Sequence, residues 1–190
     1  MNNFLKKIDI KKAFFSFYWL LLLLVIIDQA TKVIFLTLEA RMGPGYHLVI
    51  IDNFFYFSYY RNTGAAWSIL EDYPWVLALI SLVASLAMIS YRIIKAKSLN
   101  NYHKAAWALV IAGTFGNFID RAFYKALTGV AGVVDFLHFQ FGDYHFPIFN
   151  VADMCLVIGI IGMVVLTLFE DIKQKKNLET TKSESSNDQQ

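Results

Sequence analysis

Four long apolar stretches alternate with more polar segments along the chain. They cover residues 14–38, 73–91, 105–123 and 146–169. The second stretch carries no charged residue, and Pro74 stands where a proline suits the first turn of a helix. At about 1.5 Å per residue, helices of this length cross the hydrocarbon core of a bilayer, which is about 30 Å thick. The pattern therefore predicts four transmembrane helices.

The first apolar stretch follows four lysines, an arrangement that also occurs in secretory signal peptides. Residues 13–27 are followed by Asp-Gln-Ala-Thr-Lys, however, where a signal peptide would have small residues at a cleavage site. The apolar pattern then resumes over residues 33–38. We therefore expect an uncleaved first transmembrane helix.

The segments between the first and second spans and between the third and fourth have a different pattern. Residues 46–51 and 54–60 are β-branched or aromatic runs separated by Asp52 and Asn53, which is typical of a hairpin. Residues 133–141 have a similar composition and end at a Gly-Asp pair. The predicted fold class is thus a mainly α-helical integral membrane protein: four transmembrane helices with a small extracytoplasmic β-sheet, whose aromatic side chains lie at the membrane interface.

The basic residues indicate the orientation of the four spans. Twelve of the 17 lysines and arginines lie in the N-terminal segment, in residues 92–104 and after residue 170. With four spans these regions share one side, which the positive-inside rule makes the cytoplasm. We expect a cytoplasmic basic segment 1–13, outside segments 39–72 and 124–146, and a disordered cytoplasmic tail 171–190, which is polar and lacks aromatic residues.

Composition supports the membrane class and excludes several others. Hydrophobic residues make up 57% of the chain and charged residues 17%, against about 25% charged in soluble domains. A net charge of +2 with scattered basic residues gives no indication of nucleic-acid binding. The single cysteine, Cys155, excludes an intrachain disulfide and is expected in the core. His138 and His145 are expected at the interface rather than on a metal, and we expect no metal or other cofactor.

Four aspartates are predicted at a similar depth near the outer face, although they come from four parts of the sequence. Asp28 lies well along the first span, Asp120 ends the third, Asp135 precedes the fourth, and Asp153 begins it. A charged side chain at the centre of the bilayer costs about 3 kcal/mol on insertion scales, so such residues are paired, face water or take part in chemistry. The convergence indicates a functional site.

Two of these aspartates have a basic residue nearby in the sequence, so their role could be structural rather than catalytic. Asp28 has Lys32 four residues on, and Asp120 has Arg121 beside it, so both could serve only to neutralise charge and anchor helices. Asp135 and Asp153 have no basic residue close in sequence. Two carboxylates in a partly dehydrated site share one proton, as in aspartic proteases, where one activates water and the other polarises the scissile carbonyl.

Five sequence blocks carry a resemblance to a known family. They are Asp28-Gln29-Ala30-Thr31-Lys32, Asn62-Thr63-Gly64-Ala65-Ala66-Trp67-Ser68, the segment from Gly113 to Arg121, Val133-Val134-Asp135-Phe136, and Phe149-Asn150-Val151-Ala152-Asp153. In this order the chain resembles lipoprotein signal peptidase, or signal peptidase II, over residues 14–170. Ala112 and Trp67 depart from the residues common in the family, at positions we expect to affect packing only.

The resemblance implies an aspartyl endopeptidase of the bacterial cytoplasmic membrane that cuts diacylglyceryl-modified prolipoproteins just before the lipidated cysteine. It implies catalytic roles for Asp135 and Asp153, a short amphipathic helix beside the sheet, and sensitivity to the cyclic peptide globomycin. The positions implied to shape the site or hold substrate are Asp28, Lys32, Asn62, Gly64, Ala65, Asn117, Asp120, Arg121, Asn150 and Ala152.

Two other functions fit parts of the pattern. Carboxylates and Lys32 at one depth could serve a small proton-coupled transporter or ion pathway. The cytoplasmic half of every predicted span is almost wholly apolar, however, which disfavours a continuous polar route. A non-catalytic scaffold for lipoprotein maturation would differ from the peptidase only in lacking activity.

Overall fold

The structure, a computed structural model, describes residues 2–43, 45–64, 70–95 and 100–187, with side chains from residue 17 to residue 179 within those ranges. Its helices are α1 (Asn2–Met42), α2 (Pro74–Ile94), α3 (Asn101–Ile119), α4 (Lys125–Thr128) and α5 (Val151–Asn187). Its strands are β1 (His47–Ile51), β2 (Phe55–Asn62), β3 (Val133–Phe141) and β4 (Tyr144–His145). The predicted fold class, mainly helical with one small sheet, is confirmed.

Three of the long helices are apolar and long enough to cross a membrane. They are α1 over Phe17–Met42, α2 over its full length, and α5 over Val151–Glu179. Helix α3 contacts all three of them and buries a face rich in alanine, glycine and Asn117. Small residues of this kind let neighbouring helices approach closely. The prediction that α3 is a fourth span stays a prediction.

Glycines allow the closest helix contacts. A side chain on Gly113 would overlap the backbone oxygen of Ala152 in α5, and one on Gly116 would lie 2.5 Å from a carboxylate oxygen of Asp28. Gly159 of α5 meets α3 in the same way, with Val110 in the space that a Cβ would occupy. Gly113 and Gly116 therefore serve helix packing.

The four strands form one antiparallel sheet in the order β1-β2-β3-β4. The hairpin of β1 and β2 and the strand β3 are at the predicted places. The register of β2 against β3 pairs Tyr60 with Asp135 and Asn62 with Val133, so the end of β2 lies beside the start of β3. The sequence analysis missed β4, which pairs only two residues with β3 across the turn at Gly142.

A small aromatic core joins the sheet to the helices. The ring of Phe35 in α1 stacks on that of Phe136 in β3, with centroids 4.2 Å apart. Tyr124 and Val134 complete this buried cluster. The contact holds the start of β3 against the middle of α1, which matters because both segments carry site residues.

Helix α5 differs from the expectation at its C-terminal end. The sequence predicts disorder from residue 171, whereas α5 continues to Asn187. Residues 170–176 are mostly glutamate, lysine and glutamine, which are good helix formers. Extending an existing helix also avoids the cost of nucleation, so a polar tail can continue it.

The third helix and the outside segments also differ in detail. A π-helical turn (Asp120–Tyr124) and α4 prolong α3 as far as Gly129, whose positive φ of 77° ends the helix. Helix α1 begins at Asn2 rather than near residue 14. Within the described part of residues 39–72 there is no helix beyond the end of α1, and residues 65–69 lie outside the described ranges.

Candidate active site

The N-terminus of α5 fixes the first of the two central aspartates. Asn150 precedes the helix, and its side-chain oxygen accepts a hydrogen bond of 3.0 Å from the backbone N–H of Asp153. The Asp153 carboxylate in turn accepts one of 3.1 Å from the backbone N–H of Asn150. This reciprocal capping satisfies two free donors of the helix end. It therefore fixes the Asp153 side chain at the start of α5, where the helix dipole favours an anion.

The second aspartate, Asp135, lies on β3 and is 1% exposed. One of its carboxylate oxygens accepts a hydrogen bond of 2.6 Å from the side-chain amide of Asn150. The other accepts one of 3.1 Å from the side-chain amide of Asn62, at the end of β2. The Asn62 amide is oriented by its own oxygen, which accepts from the backbone N–H of Gly64 at 3.1 Å. Asn150 thus contacts both aspartates, which places Asp135 and Asp153 side by side.

Asn117 of α3 connects this pair to the interior of the helix bundle. Its side-chain N–H₂ donates to Asp153 at 2.8 Å. Its oxygen accepts from Asn150 at 3.2 Å and from the ammonium group of Lys32 at 3.0 Å. Because Lys32 can only donate, it sets the orientation of the Asn117 amide, so that the nitrogen points at Asp153.

Lys32 is fully buried between two other aspartates. Its Nζ lies 2.9 Å from Asp28 and 3.1 Å from Asp120. Gln29 bonds both carboxylates as well, with 3.0 Å to each. The predicted pairing of Asp28 with Lys32 is confirmed. Gln29 was missed as a site residue, although it stands in the first quoted block.

Asp28 and Asp120 each also accept a hydrogen bond from a backbone N–H of a neighbouring element. Asp28 accepts from Ala152 at 2.9 Å, which ties α1 to the first turn of α5. Asp120 accepts from Val134 at 3.1 Å, which ties the π turn to β3. Ala152 therefore contributes its backbone N–H and a small side chain rather than any chemistry of its own.

Arg121 does not pair with Asp120, contrary to the expectation. Adjacent residues of a helical turn point in different directions, so Asp120 faces Lys32. Arg121 instead donates a hydrogen bond of 3.0 Å to the backbone oxygen of Gly64. This contact joins the third helix to the segment after β2. Ala65, the next predicted site residue, lies outside the described residues.

Both aspartates open onto one cavity of about 970 Å³. On one side it continues between the helices, and its walls there include Ser81, Gly113, Thr114, Leu156 and Val157. On the other side it continues along the sheet, and its walls there include Tyr60, His138, Tyr144, His145 and Phe146. The pair therefore stands between a part lined by transmembrane helices and a part lined by strands.

The surroundings of Asp135 change its acidity. Burial and the nearby Asp153 together raise the pKa of Asp135 to about 7, although the hydrogen bonds from Asn62 and Asn150 and the charge of Lys32 oppose the shift. A proton on Asp135 is therefore readily gained and lost near neutral pH. Among the described residues no three histidine, cysteine or acidic side chains form a metal site. The prediction that no metal takes part stays a prediction.

Of the twelve predicted site residues, the structure brings eleven to this region and leaves only Ala65 undescribed. Five lie on the cavity wall: Asn62, Asn117, Arg121, Asp135 and Asp153. The other six described residues hold these five, or one another, in place through the hydrogen bonds and ion pairs given above. The sequence analysis missed the aromatic and histidine side chains of β3 and β4 because their position depends on the sheet register.

Comparison with known proteins places this geometry in a family. A family model described as signal peptidase II matches residues 20–169. Proteins named lipoprotein signal peptidase from Bacillus pumilus and Listeria monocytogenes are 38% and 39% identical to the chain. Their alignments cover 85% and 84% of this chain, and 97% of each relative.

Solved structures agree with this assignment. A bacterial membrane enzyme solved by the in meso method at 2.3 Å has a TM-score of 0.68 and 35% identity, covering 84% of this chain and 91% of that one. A second such structure, at 1.9 Å, has a TM-score of 0.66 and the same identity. The family model and these relatives span most of the chain, which is therefore a bacterial membrane protein belonging to the signal peptidase II family.

Proposed function

We propose that the chain is an aspartic endopeptidase that removes the signal peptide from diacylglyceryl-modified prolipoproteins, cutting just before the lipidated cysteine. The observation that carries the proposal is the convergence of Asp135 and Asp153 on Asn150, at the wall of a cavity that runs from the helices to the sheet. The relatives named lipoprotein signal peptidase supply the substrate class.

The two aspartates share the acid and base roles. The ionised carboxylate takes a proton from a water molecule as its oxygen attacks the scissile carbonyl, and a C–O bond forms. The protonated carboxyl donates its hydrogen to the carbonyl oxygen, which stabilises the tetrahedral intermediate. The C–N bond then breaks as the leaving nitrogen takes up the proton that came from water, and the former carbonyl oxygen returns its hydrogen to the carboxylate as the C=O double bond re-forms. The raised pKa of Asp135 supports the presence of one shared proton at neutral pH.

The neighbours of the pair favour this shared proton. Asn62, Asn117 and Asn150 hold the two carboxylates with neutral amides. Neither aspartate has an ion-pair partner among the residues that the structure describes. A cation in direct contact would hold both carboxylates ionised and so remove the acid. Lys32 affects the aspartate pair indirectly, through its hydrogen bond to Asn117, which in turn donates to Asp153.

The substrate explains why the cavity has two parts. The diacylglyceryl group holds the cysteine at the membrane, at about 0.8 kcal/mol per buried CH₂. The signal helix would then lie along the part lined by Gly113, Thr114 and Leu156, and the segment after the cysteine would lie along the sheet. This arrangement requires the predicted orientation, with both termini in the cytoplasm and the site near the outer face. Globomycin would compete for the same cavity.

Membership in a peptidase family leaves the transporter alternative without support. The buried carboxylates of Asp28 and Asp120 also share the ammonium group of Lys32 within one network, where they hold backbone groups of α5 and β3. Such a network has a structural role next to the proposed dyad.

The test uses purified protein with a prolipoprotein in two forms, with and without the diacylglyceryl group. Cleavage is followed by gel shift, and the new N-terminus is identified by mass spectrometry. We expect cleavage just before the lipidated cysteine, inhibition by globomycin, and a rate at least about tenfold lower without the lipid. Equal rates for the two forms would contradict the lipid requirement, and no cleavage by folded protein would contradict the peptidase proposal.

A further inference from the structure

The sheet side of the cavity contains a polar chain that the proposed mechanism does not use. Ser58 of β2 lies 3.0 Å from Nδ1 of His138, and Nε2 of His138 lies 3.0 Å from Nδ1 of His145. His138 and His145 both line the cavity, among Tyr60, Tyr144 and Phe146. Apolar walls with a few fixed polar groups are typical of ligand sites.

The hydrogen bonds of this chain leave one nitrogen for a ligand. Burial and the neighbouring histidines lower the pKa of His138, which keeps its ring neutral near pH 7. A neutral imidazole has one donor and one acceptor nitrogen. When the Ser58 hydroxyl donates to His138, His138 donates to His145, and Nε2–H of His145 becomes the free donor. That nitrogen bonds no residue that the structure describes, and the His145 side chain is exposed.

The position of the pair along β3 indicates which part of a substrate it would meet. His138 lies three residues beyond Asp135 on the same strand, which is about 10 Å at the rise of an extended chain. A substrate segment leaving the dyad along the sheet covers the same distance in about three residues. Counted from the cut bond, the cysteine is the first of these residues, so His138 lies level with the second residue after the cysteine. His145 lies one hydrogen bond beyond His138 and would meet the second or third residue after the cysteine.

We propose that the sheet side of the cavity binds the first residues of the mature lipoprotein, and that Nε2 of His145 selects a hydrogen-bonding side chain there. The inference rests on the proposed function and adds a specificity site to it. The partner is a carboxamide: its oxygen accepts from Nε2–H of His145 when Ser58 donates to His138, and its N–H₂ donates to Nε2 when the hydrogen bonds of the chain run the other way. An apolar side chain in the same place would displace water from this exposed nitrogen without replacing its hydrogen bond, and a polar group left unpaired in this way lowers affinity.

The test compares lipidated substrates that carry Asn or Leu, which are similar in shape, at each of the first three positions after the cysteine. For the wild type we expect kcat/KM to favour Asn by about five- to tenfold at the second or third position and not at the first. His145→Ala should bring this ratio to about one, because kcat/KM falls more for the Asn substrate than for the Leu substrate. His145→Gln, which keeps an N–H in a similar place, should restore part of the preference.

His103→Ala is the matched control. His103 lies near the start of α3, beside Glu170 of α5, and does not line the cavity. Its Asn-to-Leu ratio should equal that of the wild type. A ratio of one in the wild type at all three positions, or a preference that survives in His145→Ala, would overturn this inference while cleavage itself still supports the peptidase. Failure to cleave any substrate would instead overturn the proposed function.

Discussion

Replacing Lys32 with methionine is the perturbation that most strongly tests the buried network. Methionine keeps the length and the apolar part of the side chain and removes the charge. In the wild type the ammonium group is fully buried and contacts Asp28, Asp120 and the Asn117 oxygen at 2.9–3.1 Å. The variant therefore leaves two buried carboxylates without their only cation among the described residues.

The expected loss of stability is large. Removing one partner of a buried ion pair costs about 3–5 kcal/mol, because the remaining charge is neither paired nor hydrated. For a chain of this size, 1 kcal/mol corresponds to about 2–4 °C in Tm, so we expect a decrease of about 6–20 °C. Protonation of Asp28 or Asp120 relieves part of this cost, so we expect a decrease in Tm near the lower end of that range.

Thermal unfolding in detergent measures this decrease, with Lys125→Met as the matched control. Lys125 is exposed on α4, and its replacement should leave Tm unchanged. Activity provides a second measurement at a temperature where all variants are folded. We expect Lys32→Met to lower kcat by about 10- to 100-fold, because the Asn117 amide loses the donor that orients it towards Asp153.

Two results would refute this reasoning. A Tm for Lys32→Met within about 2 °C of the wild type would mean that the network contributes less than about 1 kcal/mol. A large decrease in Tm with unchanged kcat in the folded variant would mean that Lys32 stabilises the bundle without orienting Asn117.

Two further predictions concern the helix contact next to the site and the acidity of Asp135. Gly116→Ala should lower stability by about 1–3 kcal/mol, because the added carbon would lie 2.5 Å from a carboxylate oxygen of Asp28. Gly162→Ala is the control: the nearest atom is 3.8 Å away, so stability should be unchanged or rise by up to about 1 kcal/mol. Denaturation in detergent measures both changes. The pKa of Asp135 is raised to about 7, so its contribution to stability is full below pH ~4 and is lost as the pH rises through about 7. Between pH 5 and 8 the Tm of the wild type should therefore decrease more than that of Asp135→Asn, and equal slopes would contradict the raised pKa.

Local patterns in the sequence predicted those parts of the site that depend on helix geometry. The spacing of Asp28 and Lys32 puts both on one side of α1, where they form the predicted pair. Hydrophobicity likewise located the long helices and the hairpin, because their lengths and periodicities are local properties.

Contacts between distant segments could not be predicted in the same way. The sequence suggested Arg121 as the partner of Asp120, whereas the fold supplies Lys32 from α1, because the helix packing decides which side chains meet. Nothing in the sequence indicated that Gln29 bridges the carboxylates of Asp28 and Asp120, since an amide residue beside an aspartate is common. The placement of His145 on the cavity wall depends on the register of a two-residue strand.

Cleavage of a diacylglyceryl-modified prolipoprotein by wild type, Asp135→Asn and Asp153→Asn tests the central claim most directly. Asp143→Asn, an exposed aspartate in the turn before β4, serves as the control, and the Tm of each variant shows that it is folded. The two-aspartate account predicts that Asp143→Asn cleaves like the wild type, while each of the other variants loses about 10³-fold or more in kcat. A folded Asp135→Asn or Asp153→Asn that cleaves at nearly the wild-type rate would contradict the account.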